Sequence, residues 1–271
     1  SRGVYVMIEK PMKEKILHRL RQVEEEHNVR IIYACESGSR AWGFASPDSD
    51  YDVRFIYIHN EDWYLSFDLE SAQRDTIECP IIDELDCSGW DIRKAMYLLT
   101  SSNMALLEWL NSPIKYVDVG AFAEAMRYIS LRTLNKTAMC YHYRCIASNN
   151  ATKHLFNSEV KLKVYFYVLR CLLAIRYLEE KGTQPPVEFT KLLHSVCPEA
   201  LVPIIENLIA NKRETIEIGS GAKIPQINDF IVSELNRHNK AFPQQPDKDI
   251  LEIESIRSEL NTLFRKIVRG G

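Results

Sequence analysis

The sequence contains no apolar run near the roughly 18 residues that a membrane-spanning helix needs. It contains no Cys-x-x-Cys pair. Its seven cysteines (Cys35, Cys79, Cys87, Cys140, Cys145, Cys171 and Cys197) are odd in number and scattered. That pattern argues against a disulfide framework or a zinc ribbon and for reduced thiols. The opening SRGVYVMIEKPMKEK lacks the long apolar stretch and small-residue cleavage site of a secretory signal. Internal repeats and low-complexity tracts are absent. No basic stripe interleaved with aromatics marks a nucleic-acid groove, and the acidic pI of about 6.2 argues against avid non-specific binding to nucleic acid. These absences lead to the expectation of a cytoplasmic protein with no membrane attachment.

What is present is ordinary globular material: 271 residues, 46% apolar and 26% charged. At about 150 residues per domain the length suggests just under two domains. Charge is unevenly placed. Residues 1–115 carry 13 Lys and Arg against 20 Asp and Glu, and residues 116–271 carry 21 against 17. An acidic front and mildly basic back suit a metal site facing a phosphate-binding surface. They suit equally well two lobes with unlike solvated faces.

Pattern along the chain divides it similarly. Residues 11–27 read as an amphipathic helix, with Pro11 in its first turn and Ile16, Leu17, Leu20 and Val23 on one side. β-Branched runs at 29–39 and 51–59 read as strands, 63–78 as a loop or edge strand, and 79–86 as a third strand broken at Cys87-Ser88-Gly89. From Trp90 onward the spacing is helical. Helices are expected near 90–112, 118–148, 157–181, 187–195, 198–212, 227–238 and 248–269. The fold class is therefore α+β: a small mixed sheet with helices over residues 1–115, then an all-helical domain over 116–271.

The chemistry concentrates in ESGSRAWGFASPDSDYDVRFIY, residues 36–57. Gly38 and Ser39 stand where a strand hands over to a helical turn beginning at Arg40. Glycine lets backbone approach a phosphate, and a helix start offers unpaired N–H groups to an anion. After ten intervening residues come Asp50 and Asp52, two apart at a strand entrance and so expected on one side. Adjacent carboxylates repel unless a cation lies between them, and Mg²⁺ fills that role while leaving positions for phosphate oxygens. The plain alternative is two solvated carboxylates. A third acid would complete a two-metal site. Of Asp83, Glu84 and Asp86, the last is expected to lie level with the aspartate pair if the two strands run antiparallel. Asp91 reads as a first-turn helix residue.

Strand, Gly-Ser, helical turn, Asp-x-Asp strand and a later acid together resemble the nucleotidyltransferase superfamily of DNA polymerase β. Residues 38–57, 85–116 and 159–179 resemble more narrowly the bacterial and phage RNA-ligase-associated (RlaP-type) nucleotidyltransferases. Ser37 departs from the superfamily, in which an apolar residue commonly precedes the glycine. The resemblance implies that Gly38 and Ser39 hold the β- and γ-phosphates of a nucleoside triphosphate and that Arg40 pairs with a phosphate. Asp50, Asp52 and Asp86 would bind Mg²⁺ or Mn²⁺, with Asp86 also the base for an acceptor hydroxyl. The family name points to RNA repair, which makes an RNA 3′ end one acceptor beside a protein or small-molecule hydroxyl. Binding of the triphosphate without turnover is the competing reading. A phosphohydrolase is disfavoured, because no His-Asp dipeptide and no histidine accompany the acids.

On the helix expected at 157–181, Lys161, Tyr165 and Val168 fall on one stripe and Lys163, Tyr167 and Arg170 on the next. Such side chains suit a triphosphate or a stacked base. They also suit solvated lysines and packed tyrosines.

Overall fold

A computed structural model describes residues 8–72, 74–214 and 220–270. Helix α1 (Lys10–His27) carries Pro11 in its first turn and ends at Asn28 in the left-handed conformation. Strand β1 (Arg30–Ser37) runs into the one-turn helix α2 (Gly38–Trp42), and β2 (Tyr51–Ile58) follows the loop. Short helices α3 (Glu61–Tyr64) and α4 (Leu69–Ala72) lead to β3 (Thr76–Glu78) and β4 (Leu85–Asp91). Then come α5 (Ile92–Thr100), α6 (Met104–Leu110), β5 (Lys115–Asp118) and α7 (Phe122–Thr133). The remainder is α8 (Lys136–His154), β6 (Glu159–Lys161), α9 (Leu162–Lys181), α10 (Phe189–Val196), α11 (Val202–Glu214), β7 (Ser220–Ala222), α12 (Pro225–Arg237) and α13 (Ile250–Val268). The α+β class holds, with the sheet early and helices dominating later. No helix among the described residues is long and apolar enough to cross a membrane.

Packing divides the chain into two compact units, and not by one cut at residue 115. Residues 8–38, 50–134 and 246–270 form one, and residues 39–49 with 135–245 form the other. The first holds a five-stranded sheet in the order β3-β4-β2-β1-β5. Strands β2 and β4 run parallel, and the other neighbours antiparallel. Along β2 successive residues face opposite sides, and both sides are buried from Phe55 onward. Val53, Phe55 and Tyr57 join Ile16, Leu20 and Val23 of α1 in one core, while Asp52 and Arg54 take the other side. Each fully buried aliphatic there contributes about 1.5–3 kcal/mol. Helices α5, α6 and α7 pack against β1, β2 and β4, with Trp90 and Trp109 stacked 3.9 Å apart.

Strand β4 corrects two expectations. Residues 79–84 form the connection between β3 and β4, with Asp83 and Glu84 at positive φ, so neither is a strand residue. Cys87, Ser88 and Gly89 lie within the strand. A methyl group on Gly89 would come within 2.2 Å of the Phe55 ring, its register partner, so the glycine makes room for an aromatic and does not end the strand.

In the second unit α9 is buried over most of its middle turns and α8 packs along it. The expected helix at 118–148 is two helices, α7 and α8, and that at 157–181 begins with the strand β6, paired to β7.

Candidate active site

Gly38 sits at φ +63°, a region open to glycine and strained for other residues. Its turn presses against β2. Ser37 Oγ donates to the Asp52 carbonyl at 3.1 Å, and Ser37 is the register partner of Asp52. On the next strand over, Asp86 is the parallel register partner of Asp52. These two acids are thus brought together by a parallel ladder, where the sequence suggests an antiparallel one.

Between the two carboxylates stands Arg54. Its Nη2 lies 3.3 Å from Asp86 Oδ2 and 3.9 Å from Asp52 Oδ1. Its Nη1 donates to the Asp86 carbonyl at 2.8 Å and to the Val53 carbonyl at 3.1 Å. All three side chains are roughly a quarter exposed, so the pair interacts across a partly solvated gap. Coulombic repulsion between the acids is offset by the guanidinium.

Beneath Asp52 lies Glu36, wholly buried. It accepts from the Asp52 N–H at 2.7 Å through Oε2 and from the Tyr116 hydroxyl at 2.7 Å through Oε1. Its carbonyl accepts from Ser112 Oγ at 2.6 Å. This network fixes the backbone from which the Asp52 carboxylate projects. Burial, then the Glu36 charge, pushes the Tyr116 hydroxyl far above its ordinary pKa, so it stays a donor.

Asp50 is exposed and precedes β2. Among the described residues no three histidine, cysteine or carboxylate side chains gather closely enough to hold a metal ion, so Asp50 is not assembled with the other two. Asp91 is a helix cap: its Oδ1 accepts from the Arg93 N–H at 2.9 Å and its Oδ2 from the Tyr64 hydroxyl at 2.7 Å.

The remaining sequence candidates lie in the other unit. Ser39 is buried in α2, and the neighbouring Arg40 donates to the Ser49 carbonyl at 2.7 Å, closing the loop on itself. Trp42 meets Tyr167 edge-on at 5.6 Å, and the Arg170 guanidinium lies over the Trp42 ring at 3.9 Å. Lys163 Nζ is 5.9 Å from the Tyr167 ring. Of the stripe Lys163, Tyr167 and Arg170, the last two meet α2 through Trp42, and Lys163 lies against Tyr167 on its own helix. Lys161, exposed, stands at the N-cap of α9 apart from those contacts. Tyr165 is structural, its hydroxyl donating to Asn228 Oδ1 and accepting from the Ile224 N–H.

Sequence reasoning passed over Arg54, Glu36, Trp42 and Lys212. Only Arg54 had a visible signal, its position two residues after Asp52 on one strand face. Lys212, buried, donates to Ser46 Oγ at 3.0 Å and pins the loop that follows α2.

A model of the RlaP family, described as the RNA repair pathway DNA polymerase beta family, matches residues 12–266. The chain belongs to that family. The uncharacterized protein YcgL of Bacillus subtilis (strain 168) is 43% identical over 258 residues, spanning 95% of this chain and 96% of the relative. A crystal structure of a nucleotidyltransferase-like protein from Exiguobacterium sibiricum 255-15 aligns over 94% of this chain and 91% of that one, at 12% identity and a TM-score of 0.30.

Family membership implies a divalent ion, and the donor set of the first unit bears on its fit. Asp52 and Asp86 offer hard oxygen donors to one shared position. A methyl group on Gly38 would come within 2.2 Å of Asp52 Oδ2, so the backbone leaves that carboxylate room only because residue 38 is glycine. Two carboxylates that already share one cation, Arg54, fit a divalent ion.

Proposed function

We propose that the protein is a metal-dependent nucleotidyltransferase that moves a nucleoside monophosphate from a nucleoside triphosphate to a hydroxyl. The observation carrying this reading is the pairing of Asp52 with Asp86 across parallel strands, next to the Gly38 turn. Asp52 and Asp86 would hold Mg²⁺ or Mn²⁺, with Asp50, which stands apart from that pair, as the third proposed ligand. When bound, the ion supplies charge neutralisation at the phosphates and lowers the pKa of the acceptor hydroxyl.

Asp86 takes the hydroxyl proton as the acceptor oxygen bonds to the α-phosphorus. The bond from that phosphorus to the bridging oxygen breaks, and pyrophosphate leaves with both electrons. Gly38 and Ser39 offer donors to the β- and γ-phosphates, an arrangement in which positioned dipoles lower the barrier. Arg40, Lys161, Lys163, Tyr167 and Arg170 are the proposed nucleotide-binding side chains. The cytoplasm is the proposed compartment.

An RNA 3′ hydroxyl is the proposed acceptor, supported by the family's description as part of RNA repair. The competing reading, binding without turnover, gains ground if Asp86 points away from Asp50 and Asp52; the register pairing of Asp86 with Asp52 supports transfer.

The test is transfer of label from each α-³²P nucleoside triphosphate to short RNAs ending in a 3′ hydroxyl, with Mg²⁺ or Mn²⁺. Labelled RNA with the native chain and none with Asp52→Asn plus Asp86→Asn is the expected result. Equal labelling by both proteins would overturn the site. Labelled protein with unlabelled RNA would replace RNA by a protein hydroxyl.

A further inference from the structure

We infer that the groove between α5 and α13 is a second ligand site, for a small organic anion with an apolar body and one phosphate or carboxylate head. The cavity measures about 620 Å³. That falls within the roughly 300–1,000 Å³ of small-molecule sites. Met96, Ile256 and Leu260 line it and are all buried. The rings of Tyr97 and Phe264 add apolar wall. An apolar body entering there leaves water for hydrocarbon and aromatic surface.

The charged lining has one sign. Arg93, Lys248 and Arg257 border the groove, and no carboxylate does. Among the described residues, none of the three cations has an ion pair or a side-chain hydrogen bond; the Asp91 carboxylate lies near enough to Arg93 for their charges to interact. Neighbouring arginines differ. Arg132 pairs with Glu259 on α13 itself, and Arg269 pairs with Glu61. Three cations without ion-pair partners around an apolar hollow repel one another, and an anionic head relieves that repulsion.

The site is not the aspartate centre seen from another side. Asp86 stands near the start of β4, whereas Asp91 ends that strand and caps α5. Five residues of strand separate them, about 17 Å at the usual rise. The occupant is therefore a ligand additional to the reacting nucleotide, and the inference stands whether or not the transfer reaction does.

The probe is 1-anilinonaphthalene-8-sulfonate, an aromatic body with one anionic head, titrated into the full chain. Saturable fluorescence at one site is expected. Arg93→Glu with Arg257→Glu should weaken it at least tenfold. Arg21→Glu with Arg30→Glu, two exposed positions on α1 and β1, makes the same change in net charge and should leave it unaltered. Leu260→Trp, filling the groove, should abolish the signal, with circular dichroism reporting its folding. If that variant does not fold, the charge variants decide alone. Absence of saturation, or equal loss in both charge variants, would overturn the inference. Displacement by decanoate alone marks a carboxylate with a chain, and by nucleoside monophosphate alone a phosphate on a ring body. Displacement by neither overturns it.

Discussion

Gly38 has no side chain because Asp52 occupies the space where one would go: a Cβ there would lie 2.2 Å from Asp52 Oδ2. Its positive φ is a second, independent demand for glycine. Gly43, five residues on, has positive φ but open space beside it. The two glycines separate backbone strain from contact. Gly38→Ala and Gly43→Ala should each cost about 1–2 kcal/mol for the left-handed backbone. Only Gly38→Ala should also displace the carboxylate. A misplacement on the order of 1 Å costs about a hundredfold in rate. Thermal melts and single-turnover label transfer check both; unimpaired transfer by Gly38→Ala would show that the contact does not position the acid.

Arg54 is a cation already seated between Asp52 and Asp86, so it competes with any metal ion there. Arg54→Gln should tighten Mn²⁺ binding several-fold, read by the loss of the free-ion electron paramagnetic resonance signal. It should also destabilise the fold by about 1–2 kcal/mol, because the hydrogen bonds to the Asp86 and Val53 carbonyls are lost or weakened. Weaker Mn²⁺ binding in the variant would mean that the guanidinium orients the acids instead of competing for them.

Glu36 accepts two hydrogen bonds in full burial, from the Asp52 N–H and the Tyr116 hydroxyl. An amide at that position turns one acceptor into a donor and faces a donor with it. Glu36→Gln should therefore cost about 1–3 kcal/mol. Tyr116→Phe, which removes one donor and leaves the other bond intact, should cost about 1 kcal/mol. Urea melts of the two variants give both numbers. A Glu36→Gln loss no larger than that of Tyr116→Phe would remove the claim that this carboxylate fixes the β2 backbone.

Much of this was legible in the sequence, for reasons particular to each residue. Gly38 and Asp52 were readable because a glycine before a helical turn and an acid at a strand entrance are local signals. Asp86 was readable as a partner but not the direction of its strand. That direction depends on the turn at 79–84 folding β4 back on β3, and positive φ at Asp83 and Glu84 leaves no mark in residue type. Gly89 looked like a breaker because the Phe55 ring that fills its place comes from another strand. Glu36 and Lys212 act through partners 16 to 166 residues away, and no local pattern encodes such pairings; of Arg54 only the local half was visible, its place two residues after Asp52, and not its reach to Asp86. The stripe on α9 was visible from its period, whereas Trp42, the surface it meets, was not.

Asp91 and His59 meet through Tyr64, whose hydroxyl donates to Asp91 Oδ2 and accepts from the His59 N–H, and they oppose each other in acid. Burial raises the Asp91 carboxyl from 3.8 to about 6. The folded chain thus holds a proton that the unfolded chain has lost between those values. Stability from Asp91 is full below the lower value and is lost as pH rises through the upper one. At about 1.4 kcal/mol per pH unit this amounts to about 3 kcal/mol. Burial lowers the His59 imidazole from 6.5 to about 4, so its stability is full above 6.5 and is lost as pH falls toward 4. In the native chain the two slopes offset each other across this window. Asp91→Asn keeps an oxygen for the Arg93 N–H and removes the titration. Its stability, measured by urea melts from pH 4 to 7, should fall more steeply toward acid than that of the native chain, and His59→Gln should tilt the curve the other way. Parallel curves for Asp91→Asn and the native chain would show that Asp91 is ionised throughout the window.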